Sequence, residues 1–261
     1  MKRFRALREA EGTIVIVHGA GEHSGRYEWL IRKWNESGFH VVTGDLPGQG
    51  ESPGRRGHIQ SFQDYVHTVE KWVKEASSYE VPVFLFGHSM GGLVVIRTML
   101  ERELPIKAVI LSSPCLGLVN YPKKPVEVLS KLLNVTFPKI RFDSNIEPGV
   151  GTRNEEMKAK DETDPLYNRK VSVRWYRELR KAMANSHEQA GKFPNVPLLL
   201  LQGGDDRIVD IKKVKSWFNQ LQINEKIYKE WDGLFHEVFN EPERRAVFDY
   251  TLQFVRLQLQ M

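Results

Sequence analysis

A serine between two glycines, a late histidine and a knot of aspartates are residue types that acyl chemistry requires, and this chain holds all three. Ser89 stands in Gly87-His88-Ser89-Met90-Gly91, inside VFLFGHSMGGLVVI (83–96). An apolar run ends at Phe86 and a helical pattern begins at Met90, so Ser89 falls on a sharp strand-to-helix turn. Such an elbow strains the serine backbone, and small residues at 87 and 91 leave room for strand and helix to approach. A serine hydroxyl is a poor nucleophile at neutral pH and needs a general base. Where this elbow occurs the order along the chain is serine, acid, histidine. Of the eight histidines, only His236, in WDGLFHE, lies beyond the apolar run 197–202. His88 adjoins Ser89 in sequence but is expected to point elsewhere, because neighbours at a sharp turn diverge. The acid should follow 197–202, where QGGDDRIVD offers Asp205, Asp206 and Asp210. Spacing leaves the first two open, while Asp210 suits the start of the next helix as a favourable N-terminal charge.

HGAGEHSGRY (18–27), directly after TIVIV, could cradle a phosphate or present backbone N–H groups to a developing oxyanion. The dinucleotide pattern needs glycine at its first, third and sixth positions. Gly19 and Gly21 fit, the sixth position is Ser24, and no Walker-type Gly-Lys-Ser/Thr follows. Metal hydrolysis has little support either. HEVFN (236–240) lacks the second histidine of H-E-x-x-H, and His18 and His23 have no carboxylate partner at helical spacing. The single cysteine, Cys115, excludes an internal disulfide and a multi-cysteine metal site. Neither a cofactor nor a metal is expected.

These residues need a scaffold, and the periodicity supplies one. Short apolar runs at 13–17, 39–43, 82–86, 106–111, 197–202 and 226–231 read as strands; 26–36, 61–78, 90–103, 210–221 and 242–259 read as helices. Strands apolar almost throughout suit a parallel sheet covered on both faces, which makes the fold class α/β, doubly wound. The alternation breaks from Leu116 to Phe193, where no convincing strand is found. A structureless loop of that length is improbable in a compact domain. The expectation is a core of 1–114 and 194–261 with an inserted helical lid at 115–193. Within it Val126, Leu129, Leu132 and Leu133 share one helical face, and Val173, Tyr176, Leu179 and Met183 another. These faces could pack on the core, cover a pocket, or both. The net charge is +5, and the whole excess lies between Cys115 and Phe193. No zinc-finger spacing, RNP pattern or dense basic stripe points to nucleic acid. The charged start MKRFRALREAEG is unlike a signal peptide, so a soluble, cytoplasmic protein is expected.

From about residue 12 onward the chain resembles the monoacylglycerol lipase and lysophospholipase group of the α/β-hydrolases. The resemblance is carried by HGAGEHSGRY (18–27), DLPGQGES (45–52), GHSMGG (87–92), SSP (112–114), DPL (164–166), LLLQGGDDRIVD (199–210) and the His236 loop. It implies the α/β-hydrolase fold with a lid. The group's G-x-x-D-x-x-V pattern falls on Gly203, Asp206 and Val209, favouring Asp206 as the acid. It further implies oxyanion donors at the Ala20 and Met90 amides, with His18 bracing the loop, so the glycine-rich turn serves acyl chemistry. With about a dozen residues before the first strand, the N-terminal antiparallel strands should number one at most. The implied activity is hydrolysis of monoacylglycerols or related single-chain lipid esters. The alternatives are a lysophospholipase, a broad short-chain carboxylesterase or, less well supported, a non-catalytic binding protein on the same scaffold. Thioester, carbon–carbon and proline-peptide cleavage use the same triad; a dehalogenase or epoxide hydrolase would want aspartate at the elbow. The basic insertion suggests peripheral contact with an anionic membrane surface.

Overall fold

The computed structural model describes residues 1–144 and 149–261. In chain order it contains β1 (Lys2–Phe4), β2 (Gly12–Val17), α1 (Glu28–Glu36), β3 (Phe39–Thr43), α2 (Gln63–Ser77), β4 (Val83–His88), α3 (Met90–Glu101) and β5 (Ala108–Ser112). There follow α4 (Lys124–Thr136), β6 (Arg141–Asp143), α5 (Glu155–Thr163), β7 (Lys170–Ser172) and α6 (Val173–Glu188). The chain closes with β8 (Leu198–Gly203), α7 (Ile211–Gln220), β9 (Lys226–Trp231) and α8 (Arg244–Gln260). Among the described residues one sheet runs β1-β3-β2-β4-β5-β8-β9. Its pairs are parallel except β1 on β3, so a single antiparallel strand precedes the parallel set.

Alternate residues of each central strand face opposite sides, as strand geometry requires. Ile14, Ile16, Phe84, Phe86, Leu199 and Leu201 pack with α1 and α8 through Trp34, Phe248 and Phe254. Val15, Val17, Leu85, Val109 and Leu200 pack with α2, α3 and α7 on the other face. The fold is therefore the α/β-hydrolase arrangement, doubly wound. Chain order reverses around β2 and β4, and a crevice at the carboxyl ends of the strands beside such a switch point is where open α/β sheets bind ligands.

The segment between β5 and β8 does contain strands, contrary to the sequence reading. Arg141–Asp143 and Lys170–Ser172 pair antiparallel in a small separate sheet. The two apolar helical faces there also differ in fate. On α6, Val173, Tyr176, Leu179 and Met183 are buried, and Trp175 donates its indole N–H to the Tyr65 hydroxyl at 2.8 Å. Helix α4 buries only Ser130. Leu132 is 62% exposed and Val135 80%, and Val126, Val128 and Leu129 are exposed as well, so this face does not pack down. Among the described residues no helix is long and apolar enough to cross a membrane.

Candidate active site

Four loops at the carboxyl edge of the sheet carry the predicted residues. After β4, Ser89 adopts φ 52°, ψ −119°, a strained conformation that costs on the order of 1–3 kcal/mol and persists only where its surroundings fix it. They do so here. The Ser89 amide donates to the Ser112 carbonyl at 2.9 Å, and its carbonyl accepts from Cys115 at 2.9 Å and Leu93 at 3.1 Å. A Cβ on Gly87 would lie 2.6 Å from the Gly91 carbonyl oxygen, and one on Gly91 would strike the Val17 carbonyl. The elbow can be this tight only without side chains at those positions. Met90 opens α3, so its amide lies in the first turn, where helix geometry provides no intrahelical acceptor.

The loop after β2 lies against this elbow: a Cβ on Gly19 would come within 3.2 Å of Ser89 Cβ. His18 holds the loop's base, accepting the Leu46 amide on Nε2 at 2.9 Å. Burial depresses its pKa, keeping the ring neutral and able to accept.

The loops after β8 and β9 interlock. The Asp205 amide donates to the Leu234 carbonyl at 2.9 Å, and a side chain on Gly203 would collide with the Phe235 carbonyl. This brings Asp206 Oδ2 to 2.8 Å from His236 Nδ1. Asp206 also accepts from the Ile208 and Val209 amides at 2.9 Å each and from Gln202 Nε2 at 2.8 Å. Burial raises the Asp206 carboxyl, but the imidazole and those donors outweigh it and hold it below the usual range. For His236 burial pushes downward, and the Asp206 charge and hydrogen bond reverse the sign, leaving it above an ordinary imidazole. The structure thus brings Asp206, and not Asp205, to the imidazole. Asp210 caps α7, accepting from the Lys212 amide at 2.9 Å.

His88 does not point away from the site. Its ring stands 4.8 Å from that of His236, centroid to centroid, and its Nδ1 is 3.2 Å from Ser112 Oγ. Burial and the neighbouring His236 lower its pKa to about 4. The β9–α8 loop folds back over the sheet edge and brings the His236 ring to His88 there.

Behind these rings lies a buried ionic cluster that the sequence reading missed. The Arg26 guanidinium is 2.6 Å from Glu22, 2.7 Å from Asp161 and 3.0 Å from Glu237. Glu22 also accepts the Gly19 amide and, at 2.7 Å, the Tyr27 hydroxyl. One cation thereby ties the loop beside Ser89 to the residue after His236 and to α5. Burial, with the two other carboxylates adding to it, outweighs Arg26 and pushes Asp161 up to about 6. The spacing of Glu22 and Arg26 was visible in the sequence; Asp161, far along the chain, was not.

Ala20, Ser89 and Met90 open onto a cavity of about 630 Å³, well within the range that holds small organic ligands. Its walls are largely apolar and come mostly from the inserted segment, with Val126, Leu129 and Leu133 of α4 facing Val173, Tyr176 and Leu179. Cys115, also on the wall, has its thiol pushed up to about 12 by burial, so it is no thiolate nucleophile. Among the described residues no group of three His, Cys, Asp or Glu side chains is placed to hold a metal ion.

Sheet topology, strained serine elbow and buried Asp–His pair together define an α/β-hydrolase. The chain belongs to the family described as serine aminopeptidase, S33, whose model matches residues 8–243. It is similar to phospholipase YtpA of Bacillus subtilis, 51% identical over 92% of this chain and 93% of that protein. It also resembles the human monoglyceride lipase, 33% identical over 87% of this chain and 76% of that one. The crystal structure of the Paleococcus ferrophilus monoacylglycerol lipase superposes with a TM-score of 0.89 at 31% identity, covering 98% of both chains. The protein is a carboxylic ester hydrolase.

Proposed function

We propose that the protein hydrolyses monoacylglycerols or related single-chain lipid esters, with Ser89 as nucleophile, His236 as general base and Asp206 orienting it. The observation that carries this reading is a large apolar cavity onto which Ser89, Ala20 and Met90 all open, with the Asp206–His236 pair at the same sheet edge. Ser89 Oγ attacks the ester carbonyl carbon and its proton passes to His236. The carbonyl oxygen, now anionic, sits between the Ala20 and Met90 amides, each such donor contributing about 3–4 kcal/mol in acyl-transfer enzymes. As the tetrahedral intermediate collapses, His236 returns that proton to the leaving alcohol, and the acyl group stays on Ser89. Water, deprotonated by the same imidazole, attacks the acyl-enzyme and releases the fatty acid.

The inserted segment 115–193 acts as a lid. Its apolar walls fit an acyl chain, and none of the chemistry calls for a cofactor. The exposed apolar side of α4, with the exposed Lys131 on the same helix, makes peripheral contact with an anionic lipid surface. The relatives' names, phospholipase and monoglyceride lipase, favour a lipid ester over a peptide. A fluorophosphonate should add to the peptide containing Ser89, and Ser89→Ala should abolish turnover of p-nitrophenyl esters. Hydrolysis undiminished in that variant removes this mechanism.

A further inference from the structure

Arg207 directly follows Asp206 and lines the cavity onto which Ser89 opens. It is the one Lys or Arg on the described cavity wall, and its residue is exposed. Its guanidinium carbon lies 3.9 Å from the centroid of the Phe235 ring, immediately before His236. Stacking of this kind limits where the guanidinium can go while leaving its N–H edge free to donate. Among the described residues no carboxylate lies within ion-pair distance of it, although Asp205 is two residues away in sequence and exposed. The contrast with the other arginine near the site is sharp: Arg26 is buried and surrounded by three carboxylates, so it has no charge to spare for a ligand. The carboxylate on the cavity wall, Asp143, has an interaction of its own.

The chemistry of the proposed function says which part of a substrate this cation meets. A histidine that returns a proton to the leaving oxygen must have the alcohol half of the ester on its own side. Arg207 stands on the flank of the His236 loop, so a charged substituent on the alcohol would lie toward it, while the acyl chain takes the apolar walls. A planar guanidinium suits the oxygens of a phosphate better than a lone hydroxyl. Resting on the ester-hydrolase reading above, we infer that Arg207 is a specificity-determining residue that selects esters whose leaving alcohol bears a phosphate over neutral monoacylglycerols.

The test compares 1-octanoylglycerol with 1-octanoylglycerol 3-phosphate, both below their critical micelle concentrations so that attraction to a charged surface plays no part. In the wild-type protein the phosphate ester should have the higher kcat/KM. In Arg207→Gln the ratio of the two kcat/KM values should fall at least about tenfold, and Arg207→Lys should recover part of it. A ratio that does not change, or both rates falling by one common factor, overturns the assignment. Hydrolysis of neither ester by wild-type protein overturns the underlying ester reading instead, and Ser89→Ala, inactive on both, keeps the two failures apart.

Discussion

The Asp206–His236 contact makes a prediction with a definite sign. A general base must be neutral to accept a proton, and His236 is held above the ordinary imidazole range. The acid limb of kcat/KM should therefore have its midpoint above pH 6.5. Removing the charge in Asp206→Asn leaves burial as the dominant influence, so the limb should move to lower pH while kcat falls by roughly 10⁴, the loss seen for such a change in a serine protease triad. A rate–pH profile that does not move would mean that Asp206 does not tune the imidazole. The ionic cluster gives a second prediction, in stability. Asp161 binds its proton more tightly folded than unfolded, so its ionisation costs stability as pH rises from about 4 through 6. Asp161→Asn should raise Tm at pH 8, by up to about 2–3 kcal/mol in stability, with the gain vanishing near pH 4. Arg26→Met strands three buried carboxylates and should destabilise by about 3–5 kcal/mol. Thermal melts at the two pH values check both signs. Sequence order pointed to His236, and the G-x-x-D-x-x-V pattern of the resembled group favoured Asp206, although the spacing from strand and histidine alone left Asp205 equally open. The interlocked loops, with the Asp205 amide tied to Leu234, turn Asp206 inward to the imidazole.

At the level of elements, the geometry depends on close backbone approaches. Gly203→Ala places a methyl group against the Phe235 carbonyl. It should shift the His236 loop, lower kcat far more than KM and lower Tm as well, because backbone and not a flexible side chain has to give way. Strands and helices of the core were legible because each repeats its apolar period over several residues, and every long run named from sequence has its counterpart. The short pair Arg141–Asp143 and Lys170–Ser172 was not legible. Three residues are too few for alternation to show, and the partners meet only through tertiary contacts, such as the Ser172 amide on the Gly57 carbonyl at 2.7 Å. Helix α4 shows the opposite limit. Its amphipathic pattern was plain, yet pattern alone cannot say whether an apolar face turns toward protein, a cavity or solvent; here it does the second and third together.

Across the whole molecule, apolar exposure and excess positive charge fall in the same inserted segment. Val128, Leu132, Val135 and Phe137 are exposed there, and the net +5 resides between Cys115 and Phe193. The surface contact proposed above requires that the protein bind vesicles containing anionic lipid at low salt and release them as ionic strength passes about 0.15 M. Val128→Glu with Leu132→Glu should weaken sedimentation with such vesicles without lowering Tm, because neither side chain is packed. Binding indifferent to both salt and these substitutions would remove the surface role. In the proposed mechanism an acyl group passes through Ser89, which rapid-quench mass spectrometry during turnover of a monoacylglycerol can capture. The acyl mass should appear on the peptide spanning Ser89 within the first turnover and be absent in Ser89→Ala. Steady hydrolysis with no adduct on that peptide, or an adduct on another residue, would contradict that mechanism.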